Sequence, residues 1–189
     1  MKKRTMALLA AVLLVVGVAI GGTLAWLTAQ SDTVVNTFTT SDIEIELKED
    51  IGKTSNYQFK MIPGYTIDKD PKVTVKAGSE ACFLFVKLTK SANFDTYMTY
   101  KMADGWTELT GVSGVSGVYY REVEGSAIGT EYSVLKDNQV TVRGEVTSSM
   151  METAKTSTPT LTVSAYASQL YKNNTDKFTA AEAWTNINN

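Results

Sequence analysis

The chain of 189 residues contains no histidine, and this absence excludes several classes of enzyme. Imidazole is the commonest protein ligand for metals and the usual general base near neutral pH. A Ser-His-Asp triad, a Cys-His pair or an HExxH zinc site therefore cannot be built from these residues. We expect no catalytic residues, no metal and no cofactor, and we expect that the protein is not an enzyme.

Cysteine is almost absent as well, because Cys82 is the single thiol in the chain. It has no partner for an intramolecular disulfide and lies in the apolar stretch Ala-Cys-Phe-Leu-Phe-Val. This context predicts a buried small hydrophobe. The alternative is a reactive surface thiol or an intermolecular disulfide, which the lack of a neighbouring basic residue disfavours.

The chain also lacks an excess of basic charge, with 18 Lys and Arg against 20 Asp and Glu. The chain has no cluster of basic residues of the kind that binds nucleic acid, so we expect no nucleic-acid partner. Carboxylate pairs are the one acid-base apparatus that needs no histidine, and the candidates are Asp68 with Asp70 and Glu44 with Glu46. We interpret the first pair as turn residues and the second as the solvated face of a strand.

The N-terminal residues have the pattern of a secretory signal. Three basic residues at positions 2–4 precede the uncharged apolar run Met6–Ile20, which leads into small residues ending at Ala25. This order predicts a signal peptide over residues 1–25, with cleavage between Ala25 and Trp26. The mature protein is then expected to be secreted, to the extracellular matrix or the cell surface, with no membrane contact after cleavage.

Two alternatives stay open for this leader. Cleavage after Ala29 also satisfies the small-residue rule. An uncleaved transmembrane anchor is the other alternative, because the uncharged stretch continues through Gln30 and is long enough to cross a bilayer.

The remainder of the chain is dominated by alternation of apolar and polar residues. Ile43, Ile45 and Leu47 alternate with charged residues, as in a half-buried strand. Similar runs occur at Tyr57–Met61, Lys72–Lys76, Ala81–Lys90, Thr96–Lys101, Val118–Val123, Gln139–Thr147 and Thr160–Ala167. About eight strands at this spacing predict an all-β protein, either a sandwich or a barrel. Ala81–Val86 is apolar without alternation, which predicts a central strand that is covered on both faces.

Two short helices and an aromatic core are also predicted. Capping-box patterns open at Thr179, with Glu182, and at Ser149, with Glu152. The aromatic residues include Tyr119, Tyr120, Phe83, Phe85, Trp106 and Trp184. They could form a carbohydrate platform, but in a β protein such residues more often pack in the core, and we assign them there.

Residues 26–40 differ in kind from the predicted sandwich domain, residues 41–189. A polar start at Trp26 is followed by a short apolar stretch that contains Val34, Val35 and Phe38. The segment is either the first strand of the fold or a free N-terminal arm.

The order of several motifs resembles a known family. These motifs are Gly21-Gly-Thr-Leu-Ala-Trp-Leu-Thr, Asn36-Thr-Phe, the acidic alternating strand Asp42–Glu49, the segment Met61–Pro71 with Val73, and Leu161-Thr-Val-Ser-Ala-Tyr-Ala. In them the chain is similar to the SipW-dependent secreted proteins of Firmicutes, which include TasA and camelysin.

The resemblance implies a jelly-roll-like antiparallel β-sandwich that a dedicated signal peptidase trims and that assembles with copies of itself into biofilm-matrix fibres. A fibre anchor or accessory protein is a further implied partner. It also implies that the freed N-terminal segment, with Val34, Val35 and Phe38 at the subunit interface, serves as a donor strand that completes the sheet of the next subunit.

Three alternative hypotheses remain open besides a fibre subunit. Some family members were described as metalloendopeptidases, a role that the missing histidines disfavour. A monomeric surface adhesin or binding sandwich is the second alternative. In the third, the N-terminal segment pairs within its own subunit.

Overall fold

The computed structural model describes residues 42–50 and 61–187, all of which lie in one compact unit, Thr40–Asn189. The described residues form ten strands and three short helices. The strands are β1 (Ile45–Glu49), β2 (Thr66–Asp68), β3 (Pro71–Val75), β4 (Cys82–Lys90), β5 (Met98–Met102), β6 (Thr107–Glu108), β7 (Val118–Val123), β8 (Glu131–Ser133), β9 (Leu135–Val142) and β10 (Leu161–Gln169). The helices are α1 (Phe94–Tyr97), α2 (Ser148–Thr156) and α3 (Ala180–Ile187).

One layer of the fold is a four-stranded antiparallel sheet in the order β10-β4-β7-β6. Its central strand β4 is the apolar run that the sequence predicts to be covered on both faces, and that prediction is confirmed. Cys82, Leu84 and Val86 enter one core, whereas Phe83 and Phe85 enter a second core on the opposite face. Alternation along a strand sends successive side chains to opposite faces, so an unbroken apolar run needs a cover on each.

The second layer combines two antiparallel sheets, β1-β3-β8 and β2-β9-β5. They act as one layer because β2 continues into β3 and β8 continues into β9. The pairing of β2 with β9 is shifted by two residues relative to the pairing of β3 with β8. Asp137 and Asn138, both with φ of 55°, are the additional residues in β9 that absorb the shift. The predicted all-β sandwich is confirmed, with three short helices among the described residues where the sequence predicts two.

The two cores differ in what covers them. The first lies between the layers and contains residues from β3, β4, β7 and β9, such as Val73, Val123 and Val142. The second lies on the outer face of the β4 sheet, beneath α3. There the ring centroid of Trp184 is 5.2 Å from that of Phe85 and 5.4 Å from that of Tyr166. These aromatic side chains therefore pack in a core, as the sequence predicts.

The helix beginnings agree with the sequence in one case and not in the other. At α3 the Glu182 carboxylate accepts from Thr179 N at 2.8 Å, and Glu182 N donates to Thr179 Oγ1 at 3.3 Å, so the predicted capping box is present. At α2 the prediction that Ser149 is the cap is wrong. Thr147 Oγ1 accepts from Met150 N at 3.3 Å, and Glu152 pairs instead with Lys155.

Several strand boundaries differ from the predictions. Phe94–Tyr97 forms α1, so the strand predicted from Thr96 begins at Met98. The strand predicted over Gln139–Thr147 is β9, which begins at Leu135 and ends at Val142, where the chain turns towards α2. Strands β2, β6 and β8 have two or three residues each, too few to show alternation in a sequence. The strand predicted at Tyr57–Met61 falls almost wholly outside the described residues.

Candidate functional site

The carboxylates of the two candidate pairs differ in burial and in partners. Asp68 is exposed and accepts a hydrogen bond from Gln139, whereas Asp70 is only 6% exposed at the junction of β2 and β3. Glu44 pairs with Lys76 at 3.7 Å. Glu46 pairs with Lys48 at 2.9 Å, and the hydrogen bond from that ammonium lowers the pKa of Glu46. Asp68 and Glu44 are exposed and Glu46 is half-buried, whereas Asp70 is buried.

Within residues 42–50 and 61–187, no three metal-ligating side chains of the Asp, Glu, Cys and His types come together. In the same part of the chain, no helix is long and apolar enough to cross a membrane. The predicted leader, residues 1–25, its cleavage site at Ala25 and Trp26, and the interface residues Val34, Val35 and Phe38 all lie outside the described residues.

Cys82 is completely buried, as the sequence predicts. It lies at the start of β4, paired across the sheet with Val123 and Gln169. Burial in this apolar site disfavours the thiolate and raises the pKa of Cys82 to about 11. A thiol of this kind is a poor nucleophile at neutral pH.

Two edge strands, β1 and β10, lie at the same side of the sandwich, one in each layer. β10 ends the order β10-β4-β7-β6, and β1 ends the order β1-β3-β8. Among the described residues, each of these two strands has a sheet partner on one side alone. An edge of this kind carries backbone N–H and C=O groups that another strand can pair with.

The hydrogen bonds next to β10 identify which of its residues face away from β4. Leu170 N donates to Ala81 O at 3.0 Å, and Ser91 N donates to Thr160 O at 3.0 Å. Because backbone groups alternate in direction along an antiparallel pair, the even-numbered residues of β10 face β4. The N–H and C=O groups of Val163, Ala165 and Ala167 therefore point away from the sheet.

The side chains of the same residues point towards the first core. Val163 and Ala165 lie opposite Leu88 and Val86 of β4, which are buried in that core. Both are nevertheless only half-buried. On β1, Leu47 lies opposite the fully buried Val73 and is 38% exposed. The core is thus incompletely covered along this side of the sandwich.

The opposite side of the sandwich carries a stack of three side chains that sequence reasoning missed. Arg121 of β7 projects towards the first core, with its guanidinium 3.9 Å from the ring centroid of Tyr132 and 5.1 Å from that of Trp106. Trp106 Nε1 donates to Ser133 O at 2.9 Å, and burial lowers the pKa of Arg121. The stack bridges the two layers, since Tyr132 belongs to β8. No sequence signal connects these three residues.

We find no match for the chain among protein-family models, curated proteins or solved structures.

Proposed function

We propose that the protein is a secreted structural subunit of extracellular biofilm-matrix fibres, and that it polymerises when one subunit lends residues 26–40 as a strand to the next. In this proposal the lent strand pairs with the outer edge of β10 and covers the half-buried apolar residues there. The partners are further copies of the same chain, a signal peptidase that frees the arm, and an accessory protein that anchors the fibre.

The edge position of β10 among the described strands is the observation that carries the proposal. Nine residues long, β10 is the longest of the edge strands among the described residues. It offers outward backbone groups together with core-facing side chains that remain partly in water. A strand added here would form hydrogen bonds with these backbone groups and would bury these side chains, and both effects favour association.

The length of the arm fits this role. Fifteen residues span about 50 Å when extended at roughly 3.3 Å per residue, which is long enough to cross into a neighbouring sandwich. Val34, Val35 and Phe38 supply apolar side chains for the exposed part of the core. Head-to-tail contacts of this type do not close on themselves, so they produce filaments.

The proposal is tested at the acceptor strand by Ala165→Pro. Proline removes the N–H of residue 165, which points away from β4, and so leaves the β10–β4 hydrogen bonds in place. We expect residues 26–189 to form filaments in electron micrographs and the Ala165→Pro variant to remain monomeric. Circular dichroism should show the same β signature in both proteins.

The matched control is Ala165→Ser, which keeps the N–H and a small side chain. It should form filaments like the parent. Filaments of normal length from a folded Ala165→Pro variant would exclude strand addition at β10. A parent protein that stays monomeric at high concentration across pH and salt would favour the monomeric adhesin or binding sandwich.

A further inference from the structure

An exposed apolar turn, Ile62–Tyr65, lies at the end of the sandwich where β2 begins and β9 ends. The side chain of Ile62 is 48% exposed and that of Tyr65 is 63% exposed. These are two of the four exposed large apolar side chains among the described residues. Exposed apolar side chains that cluster in this way mark a surface that contacts another molecule.

The backbone holds this turn in one conformation. Tyr65 N donates to Ile62 O at 3.0 Å, and Gly64 has a φ of 77°. With Pro63 before the glycine, this is a type II turn, in which the third residue requires a positive φ. Val142 N donates to Tyr65 O at 2.8 Å, and Gly64 N donates to Val142 O at 3.1 Å, so the turn is fastened to β9. A fixed turn loses little conformational entropy when it binds.

A polar cavity of about 480 Å³ lies at the opposite end of the sandwich. It opens beside Asp42, Glu80 and Gln169, which lie before β1, before β4 and at the end of β10. Gln169 pairs with Cys82, the first residue of β4, and the other end of β10 pairs with Lys90. Because β10 has nine residues, the two ends of the sandwich are about 30 Å apart at roughly 3.3 Å per residue.

The two ends are complementary in charge and in hydrogen bonding. The cavity carries the carboxylates of Asp42 and Glu80, neither of which forms an ion pair with another residue that the structure describes, and Ile43 adds an apolar wall. The turn carries the phenol of Tyr65, a hydrogen-bond donor with an apolar ring, and Arg143 follows the β9 residue that fastens it. The volume of the cavity lies in the range of sites that enclose small ligands, about 300–1,000 Å³, and so admits an aromatic ring.

We propose that the cavity of a subunit that lends its arm receives the Ile62–Tyr65 turn of the copy that accepts the arm, and that the Tyr65 phenol donates to the carboxylates there. This inference rests on the proposed function for the head-to-tail order of the copies. The arm, residues 26–40, joins the sandwich next to Asp42, so a lent strand starts from the cavity end. The contact is too small to hold two copies together without the strand, and it fixes how they are oriented.

The proposal is tested by cross-linking fibres of residues 26–189. One chain carries Thr66→Cys beside the turn, and a second carries Asn186→Cys at the rim of the cavity; both positions are exposed. A short bifunctional maleimide should give covalent dimers in fibres grown from the mixture. Fibres of either variant alone should give none, because two turns or two cavities do not meet in a head-to-tail order. The buried Cys82 should not react.

The matched control is a mixture of Thr66→Cys with Lys101→Cys, which places the second thiol at an exposed position of β5 instead of the cavity. This mixture should give no covalent dimer. The control shows whether cross-linking requires the cavity or merely an exposed thiol in a neighbouring subunit.

Charge variants at the turn measure how much the contact contributes. Tyr65→Glu places a carboxylate against those of the cavity and should slow fibre elongation at least about tenfold, because like charges repel across an interface. Tyr65→Lys should elongate faster than Tyr65→Glu, and the double variant Tyr65→Glu/Glu80→Lys should recover part of the lost rate. Since both positions are exposed, circular dichroism should show the same β signature in every variant.

The turn contact is wrong if fibres form but the Thr66→Cys and Asn186→Cys mixture gives no dimer, or if Tyr65→Glu and Tyr65→Lys elongate at equal rates. Its failure is distinguishable from that of strand lending. Fibres that need the β10 edge, as shown by Ala165→Pro, but that give no dimers overturn the turn contact alone. Dimers in fibres that Ala165→Pro does not abolish support the turn contact and overturn strand addition at β10. A parent protein that forms no fibres overturns both.

Discussion

At the scale of single residues, the environment of a side chain decides its chemistry more than its type does. Cys82 is a potential nucleophile by type, but complete burial at the start of β4 keeps it as a neutral thiol. Tyr100 is similar, since burial raises its pKa to about 12. Arg121 lies between aromatic rings and serves packing between the layers. Each of these groups is placed to stabilise the fold.

The burial of Cys82 predicts a loss of stability in alkali. The pKa of Cys82 lies at about 11 in the folded protein and at 9.0 as the ordinary value, so above pH 9 only the unfolded chain releases the proton. The free energy of unfolding should therefore fall as the pH rises from 9 to 11, by up to about 3 kcal/mol. Denaturant titrations at a series of pH values would measure the decrease.

The control is Cys82→Ala, in which the fall over this pH range should be shallower because the thiol contribution is removed. A thiol reagent at pH 8 should leave native Cys82 unmodified and should label it fully after denaturation. Rapid labelling of the native protein, or a covalent dimer on a non-reducing gel, would contradict the buried assignment.

At the scale of elements, short polar contacts mark where α2 and α3 begin. The carboxylate of Glu182 accepts hydrogen bonds from Lys172 and from both the backbone and the side chain of Thr179, and these contacts lower the pKa of Glu182 to about 2. They anchor α3, whose Trp184 covers the outer aromatic core. A surface contact thus supports the packing of the core beneath it.

The cap of α3 predicts a pH dependence at the acid end. The pKa of Glu182 is lower in the folded protein than its ordinary value of 4.5, so its contribution to stability is present above pH 4.5 and is lost as the pH falls towards 2. Glu182→Gln should lower the melting temperature at pH 7 but not at pH 2. Because the group is exposed, the effect should also shrink at high salt.

Thr179→Ser keeps both cap hydrogen bonds and should melt like the parent at each pH. A Glu182→Gln variant that melts at the parent temperature at pH 7 and low salt would show that the cap contributes nothing measurable.

At the scale of the whole molecule, the sandwich is asymmetric. One side carries the stack of Trp106, Arg121 and Tyr132, and on the other side the edge strands β1 and β10 have core-facing side chains that are partly exposed. An asymmetric subunit that lends a strand at one place and accepts one at another adds units in one direction. This asymmetry underlies the proposed fibre.

The strand-lending mechanism predicts that two defective subunits can pair without polymerising. A chain that lacks Trp26–Phe38 can accept a strand but has none to lend, whereas the Ala165→Pro variant can lend a strand but cannot accept one. Each alone should be monomeric, and their mixture should give a one-to-one complex measured by light scattering. Substoichiometric amounts of the shortened chain should also shorten the fibres of the parent.

The variant Val35→Asp/Phe38→Asp is the control for the arm sequence, and it should weaken the complex without unfolding the sandwich. Normal fibres from the shortened chain would contradict strand lending. If the mixture stays monomeric while the parent forms fibres, another surface joins the subunits.

Local sequence patterns were enough to predict the class of the fold and the position of its longer elements. Alternation in β1 and β10, the unbroken apolar run of β4 and the capping box at Thr179 each reflect a local rule, so they could be identified without coordinates. The absence of histidine likewise excluded whole classes of active site. Which strands lie at the edges and how Arg121 meets Trp106 and Tyr132 became evident only from the folded chain. These features join residues that are far apart in the chain, and pairing between distant strands depends on the packing of the whole sandwich, which no local pattern records.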